Sequence, residues 1–196
     1  MIRAYFNQKA ATWDETVAER DTAKLERMVE RLDLKPGFMV LDVGTGTGVF
    51  LPFLLDRIGR NGRVVALDVA EAMLSRAKAK GFHGNIDYLC ADVMDIPLDD
   101  GIFDAVVCYS SFPHFQDKSR AFAEIYRVIR SGGRLSICHT SSRAEINEIH
   151  RQIPAVHHDI IPEVDEMQSM LLAVGFIKMK IEDNADSYFA TARKPA

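Results

Sequence analysis

Five consecutive residues, Gly44-Thr45-Gly46-Thr47-Gly48, suit close contact between a backbone and a ligand. Glycine lets the chain turn tightly and puts no Cβ between the main chain and whatever lies against it. The spacing then discriminates among ligands. A dinucleotide fingerprint needs G-x-G-x-x-G/A, but counting from Gly44 the last small position falls on Val49. A phosphate loop ends in Gly-Lys-Ser/Thr, which does not follow here. The G-x-G-x-G form has no pyrophosphate to seat and is acceptable for a nucleoside joined to an amino acid. Asp68 stands 20 residues after Gly48, at the end of the next apolar run. A carboxylate there accepts hydrogen bonds from both hydroxyls of a ribose. Asp92 follows a third run, where it could accept from an adenine amino group. Each aspartate alone equally fits a helix cap or a turn, whereas matched strand ends point to one site.

Proton transfer would fall to histidine, whose imidazole titrates near neutral pH. His114 lies just past the run FDAVVCY and His139 ends the run RLSIC. Either is a candidate general base, and either also fits as a hydrogen-bonded loop side chain. Five of the six histidines fall after residue 110, and His139, His150, His157 and His158 with Asp159 are ligand types that suit zinc or iron. No H-x3-H or C-x2-C spacing accompanies them, so the expectation is a solvated segment beside the acceptor and no metal. Cys90, Cys108 and Cys138 each sit in an apolar run and are read as small hydrophobes without a disulfide framework.

The elements that must position these groups alternate between apolar runs and helical periodicity, the pattern of a parallel sheet covered on both faces. Helices are expected over 21–33, with Leu25, Met28, Val29 and Leu32 on one stripe, and over 49–58, 71–80 and, after a cap at Asp117, along Ala121, Phe122, Ile125, Val128 and Ile129. Strands are expected over 38–43, 63–67, 86–91, 103–109 and, once Ser131-Gly132-Gly133 has broken the preceding helix, 134–139. The polar stretch 140–165 holds a short helix near 144–151. Another helix, carrying Met167, Met170, Leu171 and Val174, stops at Gly175, and a hairpin of 176–182 with 187–192 closes the chain.

The 196 residues fit one domain. A hydrophobic share of 47% with 27% charged residues is the balance of a globular protein. The net charge of -4, with no basic run, gives little footing for a phosphate backbone, so nucleic acid is a poor candidate substrate. No stretch approaches the roughly 18 apolar residues of a membrane span, and the first residues lack the apolar core of a signal peptide. A cytoplasmic protein, monomeric or homodimeric, is expected.

LDVGTGTG at 41–48, ALDVAEAML at 66–74, ADVMDIPL at 91–98, FDAVVCYSSFPHF at 103–115 and EIYRVIRSGGRL at 124–135 together resemble the class I S-adenosylmethionine-dependent methyltransferases. The likeness is to the small-molecule branch that includes the ubiquinone/menaquinone biosynthesis enzymes. YFNQKAATWD at 5–14 is similar to the segment that closes over the cofactor in that branch, which gives Tyr5 and Trp13 a covering role within residues 1–20. The resemblance implies a Rossmann-like three-layer α/β sandwich, its seven-stranded, mostly parallel sheet ending in an antiparallel strand. It also implies S-adenosylmethionine as cofactor and one methyltransferase domain over 1–196. Asp42 with Gly44, Thr45, Gly46 and Gly48 would then hold the methionine end, Asp68 the ribose, Val69 and Met73 the adenine face, Asp92 and Val93 its edge, while Tyr109 and Ser110 floor the site. Ser131 replaces the proline usual before Gly-Gly, a change confined to a turn.

Segment 140–165 is read as an acceptor-side insertion, and it matches no acceptor-specific pattern. The quinone-type substrate is therefore not carried over, and the acceptor is expected to be an unspecified small molecule methylated by in-line displacement, where alignment and exclusion of water supply much of the catalysis. Two other readings stay open. One is a cofactor-binding protein without catalysis. The other is a short-chain NAD(P)-type oxidoreductase, for which Tyr5 and Lys9 have the Y-x3-K spacing but precede the glycine loop.

Overall fold

The structure, a computed structural model, describes residues 2–16 and 19–196. Seven strands, β1 (Met39–Val43), β2 (Arg63–Asp68), β3 (Ile86–Cys90), β4 (Phe103–Tyr109), β5 (Ile129–His139), β6 (Ile177–Asn184) and β7 (Ser187–Arg193), form one sheet in the order β3-β2-β1-β4-β5-β7-β6. β7 alone runs antiparallel to its neighbours, between β5 and β6. The helices are α1 (Ile2–Lys9), α2 (Trp13–Thr16), α3 (Thr22–Glu30), α4 (Leu51–Ile58), α5 (Glu71–Ala79), α6 (Lys118–Val128), α7 (Arg143–Arg151) and α8 (Val164–Ala173). This is the expected three-layer α/β sandwich.

Strand alternation divides the apolar side chains between two cores. Along β4, Ala105, Val107 and Tyr109 join Val40, Val64 and Ala66 beneath α3 and α4. Val106 and Cys108 join Leu41, Leu67 and Ile137 on the opposite face, beneath α6 and α8. Central strands buried on both sides must be apolar nearly throughout, which is why their runs are so legible. Three helix starts, those of α3, α6 and α7, are fixed by side-chain caps. Asp21 accepts from the Ala23 and Lys24 amides at 3.0 and 3.2 Å, Asp117 from Arg120 at 2.9 Å, and Ser142 Oγ from Glu145 at 3.2 Å, each satisfying donors the first helical turn leaves free.

Three expectations change. Ile129 is strand and not helix: it pairs with Phe103, and three extra residues are looped out before Arg134 pairs with Ala105. Gly133 sits in that bulge, where a Cβ would lie 2.6 Å from Ile129 Cγ2 and 2.9 Å from the Arg130 carbonyl. The Ser-Gly-Gly segment thus bends a strand already begun. Cys90 is exposed, because β3 is an edge strand, while Cys108 and Cys138 are buried as expected. Residues 2–16, read as a covering segment without assigned structure, form α1 and α2, and α1 packs on α5. No helix among the described residues is long and apolar enough to cross a membrane.

Candidate functional site

A cavity of about 420 Å³ opens above the carboxyl ends of β1, β2, β4 and β5, within the size range of small-molecule sites and at the edge where open α/β sheets bind ligands. Leaving β1, the chain turns across the tip of β2: the Gly44 and Thr45 amides donate to the Leu67 carbonyl at 2.7 and 3.0 Å, and the Gly46 amide to Asp68 Oδ2 at 2.8 Å. The three glycines all have positive φ, yet they serve different ends. A Cβ on Gly44 would lie 2.3 Å from Ser111 Cβ, and one on Gly48 2.7 Å from Phe82 and 2.9 Å from Leu51, so both sites are closed by packing. At Gly46 a Cβ would meet nothing within 4 Å. Gly46 is therefore the bare backbone open to a ligand.

Asp42, Asp68 and Asp92 differ in environment. Asp68 is buried and takes the Ala70 amide on Oδ1 at 2.8 Å in addition to Gly46 on Oδ2. Burial pushes its carboxyl above the ordinary range, and those two amides oppose the shift. Asp42 lies behind the loop, outside the cavity lining, where its Oδ2 accepts from Thr45 Oγ1 at 2.6 Å. Burial raises its pKa to about 7, against the Thr45 bond and with help from nearby Asp68. Asp92 lines the cavity and caps its own turn by accepting from the Met94 amide at 2.9 Å.

The structure gathers Gly44, Thr45, Gly46, Asp68, Val69, Met73, Asp92, Val93, Tyr109, Ser110, Trp13, His114 and His139 around this one cavity. Tyr5, Asp42 and Gly48 do not line it. For Tyr5 the cause is helical register. Ile2 and Phe6, one turn apart on α1, face the cavity and turn Tyr5 aside. Phe6, unmarked in the sequence reading, packs edge-on against Trp13, at 5.6 Å between ring centroids, and against His114, at 4.9 Å. The N-terminal helices are fastened over α5 and the loop: Asp14 accepts from Thr47 Oγ1 and pairs with Lys80 at 2.8 Å, Asn7 Oδ1 takes the Ala72 amide at 3.0 Å, and Arg76 donates to the Ala11 carbonyl at 2.8 Å. Burial tends to raise the Asp14 pKa, but the bonds from Lys80 and Thr47 hold it below the ordinary value.

Across the cavity, the histidines separate into two groups. His114 Nδ1 donates to Asp159 Oδ2 at 2.8 Å, His150 Nδ1 donates to the Asp159 carbonyl, and the two rings lie 4.8 Å apart. Burial, with a smaller effect from neighbouring His114 and His150, lowers the His139 pKa to about 3, so it is an uncharged imidazole at neutral pH. Its Nε2 is buried without a hydrogen-bond partner. His157 and His158 are exposed, lie with their rings tilted against one another at 3.6 Å between centroids and do not line the cavity. Among the described residues, no three His, Cys, Asp or Glu side chains come together in an arrangement able to hold a metal ion. Asp159 escaped the sequence reading as a partner for His114 because 45 residues separate the two.

A Rossmann-like sheet with a glycine turn and an acidic residue at the next strand tip defines a class of nucleoside-binding proteins. Comparison with known proteins narrows the class. Residues 41–137, about half of the chain, match the family model described as "Methyltransferase domain". Methyltransferase GfsG of Streptomyces halstedii is 31% identical over 135 residues, covering 68% of this chain and 49% of that protein. The ubiquinone/menaquinone biosynthesis C-methyltransferase UbiE of Hydrogenovibrio crunogenus is 34% identical over 113 residues, covering 56% and 44% respectively. The chain thus spans about half the length of these two curated relatives. A SAM-dependent methyltransferase from Aquifex aeolicus superimposes with a TM-score of 0.76 at 25% identity, over 95% of this chain and 97% of that one.

The chain belongs to the class I S-adenosylmethionine-dependent methyltransferases, and it resembles UbiE among them. S-adenosylmethionine is the cofactor named for the Aquifex aeolicus neighbour. The site fits that molecule: Asp68 keeps two of its roughly four lone-pair directions free for ribose hydroxyls, Gly46 offers open backbone, and among the described residues no lysine or arginine lines the cavity to repel a sulfonium.

Proposed function

We propose that this chain, acting as one methyltransferase domain, transfers the methyl group of S-adenosylmethionine to a small-molecule acceptor by in-line displacement. One observation carries the reading: a single cavity joins the Gly46 and Asp68 half to a half lined by Phe115, Ile146, Ile149, His114, His139 and His150. Asp68 binds the ribose hydroxyls. Val69 and Met73 support the adenine face, and Asp92 and Val93 meet its edge. The 44–48 loop receives the methionine end, with Asp42 acting on it through Thr45. Tyr109 and Ser110 floor the site; stacking of Tyr109 on Phe50, at 4.4 Å, supports a rigid floor. Trp13 and Phe6 cover the cofactor from above, and segment 140–165 forms the acceptor wall.

When bound, the cofactor supplies an electrophilic methyl carbon and a neutral leaving group, so the protein's share is alignment and exclusion of water. His114 and His139 are the candidates to hold or move an acceptor proton. Nucleic acid is not the acceptor in this reading, in keeping with the absence of lysine and arginine from the described cavity lining. The chain acts in the cytoplasm, as a monomer or homodimer.

The test pairs calorimetric titration of S-adenosylmethionine with transfer of labelled methyl to a small-molecule extract of the native cell. Saturable binding and a labelled product are expected. Binding without a product in any fraction would make the chain a non-catalytic cofactor binder, and absence of binding would end the reading.

A further inference from the structure

We propose that Asp159 is a positioning residue that holds His114 as the proton acceptor for an uncharged, largely apolar acceptor methylated on a hydroxyl oxygen. The inference rests on the methyl-transfer reading above and adds to it the accepting atom and the charge of the substrate.

The first observation is the pairing itself. The Asp159 and His114 side chains are only 13% and 15% exposed, and their bond of 2.8 Å leaves Nε2 as the imidazole nitrogen free to meet a substrate. A carboxylate can only accept, so it draws the proton of a neutral imidazole to Nδ1 and leaves Nε2 with a lone pair. Phe6, edge-on to the ring at 4.9 Å, and His150 restrict its rotation. His150 spends its own Nδ1 proton on the Asp159 carbonyl, which anchors the backbone that carries the carboxylate. The other ionisable groups nearby are His139 of β5, Asp68 of β2 and, next to Asp159, Lys118 of α6. Lys118 is occupied by the Pro113 and Phe115 carbonyls at 3.0 and 3.2 Å.

The second observation concerns charge. No lysine or arginine is among the described lining residues, so no permanent cation in the cavity pairs with a phosphate or carboxylate on the acceptor. Burying such an anion unpaired carries a heavy cost. Phe6 lies against His114, and Phe115, Ile146 and Ile149 give this half of the cavity its apolar lining, with Gln116, Thr140 and Ser141 as the uncharged polar side chains beside them. A thiol already supplies a few per cent of its strongly nucleophilic thiolate near neutral pH without help, whereas a hydroxyl is far less ionised, and a held imidazole base serves the latter. As His114 Nε2 takes the hydroxyl proton, the oxygen forms its bond to the methyl carbon, and the electron pair of the cleaved carbon–sulfur bond stays on sulfur. His114 then releases its proton to solvent. The products are a methyl ether and the neutral thioether.

The first measurement needs no acceptor. In protein labelled with 15N in its imidazoles, the His114 signals of the neutral ring should show Nδ1–H with an unprotonated Nε2, and in Asp159→Asn they should move toward the Nε2–H form that free imidazole side chains favour. Wild-type protein with the proton on Nε2 overturns the proposal. The second offers labelled S-adenosylmethionine to the native small-molecule extract after separation into neutral and anionic fractions. Label is expected in the neutral fraction as a methyl ether; label confined to anionic compounds, or on sulfur or carbon, overturns it. With the labelled product in hand, Asp159→Asn should lower kcat/KM by at least about tenfold while binding S-adenosylmethionine as the wild type does. An unchanged kcat/KM rejects the role. Loss of cofactor binding in the wild type, by contrast, would sink the methyl-transfer reading itself.

Discussion

The Gly46 amide donates to Asp68 Oδ2 at 2.8 Å, and this bond ties the open point of the glycine loop to the carboxylate at the tip of β2. The other oxygen of Asp68 takes the Ala70 amide ahead of α5, also at 2.8 Å. One buried side chain therefore fixes the loop and the start of the next helix while keeping lone pairs for a ligand. The placement of Asp68 and the shape of the loop cannot be altered independently.

Asp68→Ala is expected to weaken binding of S-adenosylmethionine by a few kcal/mol, because it removes charge-assisted bonds to both ribose hydroxyls and loosens Gly46. Asp68→Asn keeps one acceptor oxygen and should fall between the two. Calorimetric titration provides the comparison, and an alanine variant with wild-type affinity would remove Asp68 from the site.

The loop glycines should separate stability from binding. At Gly48 a methyl group meets Phe82, Leu51 and Ala77 at 2.7, 2.9 and 3.2 Å, and φ is +80°. Gly48→Ala is expected to cost about 2–4 kcal/mol in urea unfolding, from the left-handed backbone and from overpacking. At Gly46, with φ of +56° and open space, alanine should cost about 1–2 kcal/mol of stability and chiefly damage cofactor binding. Equal losses of stability at the two positions would contradict this division.

The legible parts of the molecule were those where burial leaves a periodic trace. Strands such as Phe103–Tyr109 are apolar because both faces are covered, and the α6 stripe of Ala121, Phe122, Ile125 and Val128 faces one core. The Gly-Asp skeleton of the site was legible because it sits at fixed points after those strands. Ile129 misled because an apolar residue continuing a helical stripe equally suits the first position of a buried strand. The resemblance gives Tyr5 a covering role, but the register of α1 turns Phe6 to the cavity instead, since two adjacent aromatics on a short helix carry no signal of which faces in. The pairing of His114 with Asp159 joins a strand-tip loop to a distant segment, and no local pattern encodes it.

Asp42 should make stability depend on pH. Its carboxyl rises from 3.8 to about 7 in the fold, chiefly through burial, so between those values the native state holds a proton that the unfolded chain releases. Stability contributed by the neutral carboxyl is complete below about pH 3.8, declines as pH rises and is gone above about 7. The span is on the order of 4 kcal/mol. Asp42→Asn replaces the protonated acid with a neutral group that still accepts from Thr45, and it should gain on the wild type as pH rises, the difference levelling above neutrality. A stability difference that stays flat from pH 4 to 8 would show that Asp42 is ionised throughout.

His139 gives the opposite dependence at the acid end. The fold holds its pKa at about 3, first because the ring is buried and then because His114 and His150 lie near, whereas in the unfolded chain it returns to the ordinary 6.5. Above 6.5 both states are neutral and nothing is lost; as pH falls below that value the unfolded chain takes up a proton that the native ring refuses, and stability drops until about pH 3. Between pH 7 and 4 the loss is about 3 kcal/mol. His139→Gln removes the titration, so whatever its stability at pH 7, it should lose about that much less than the wild type on acidification to pH 4. Parallel unfolding curves at the two pH values would place His139 among imidazoles that charge freely in the native protein. Such a ring would be an imidazolium beside the cavity in mild acid and would repel a sulfonium ligand, so cofactor affinity at pH 5 supplies a second check: an uncharged His139 leaves it unaffected by the Gln substitution at that pH, while a charged one makes the variant the tighter binder.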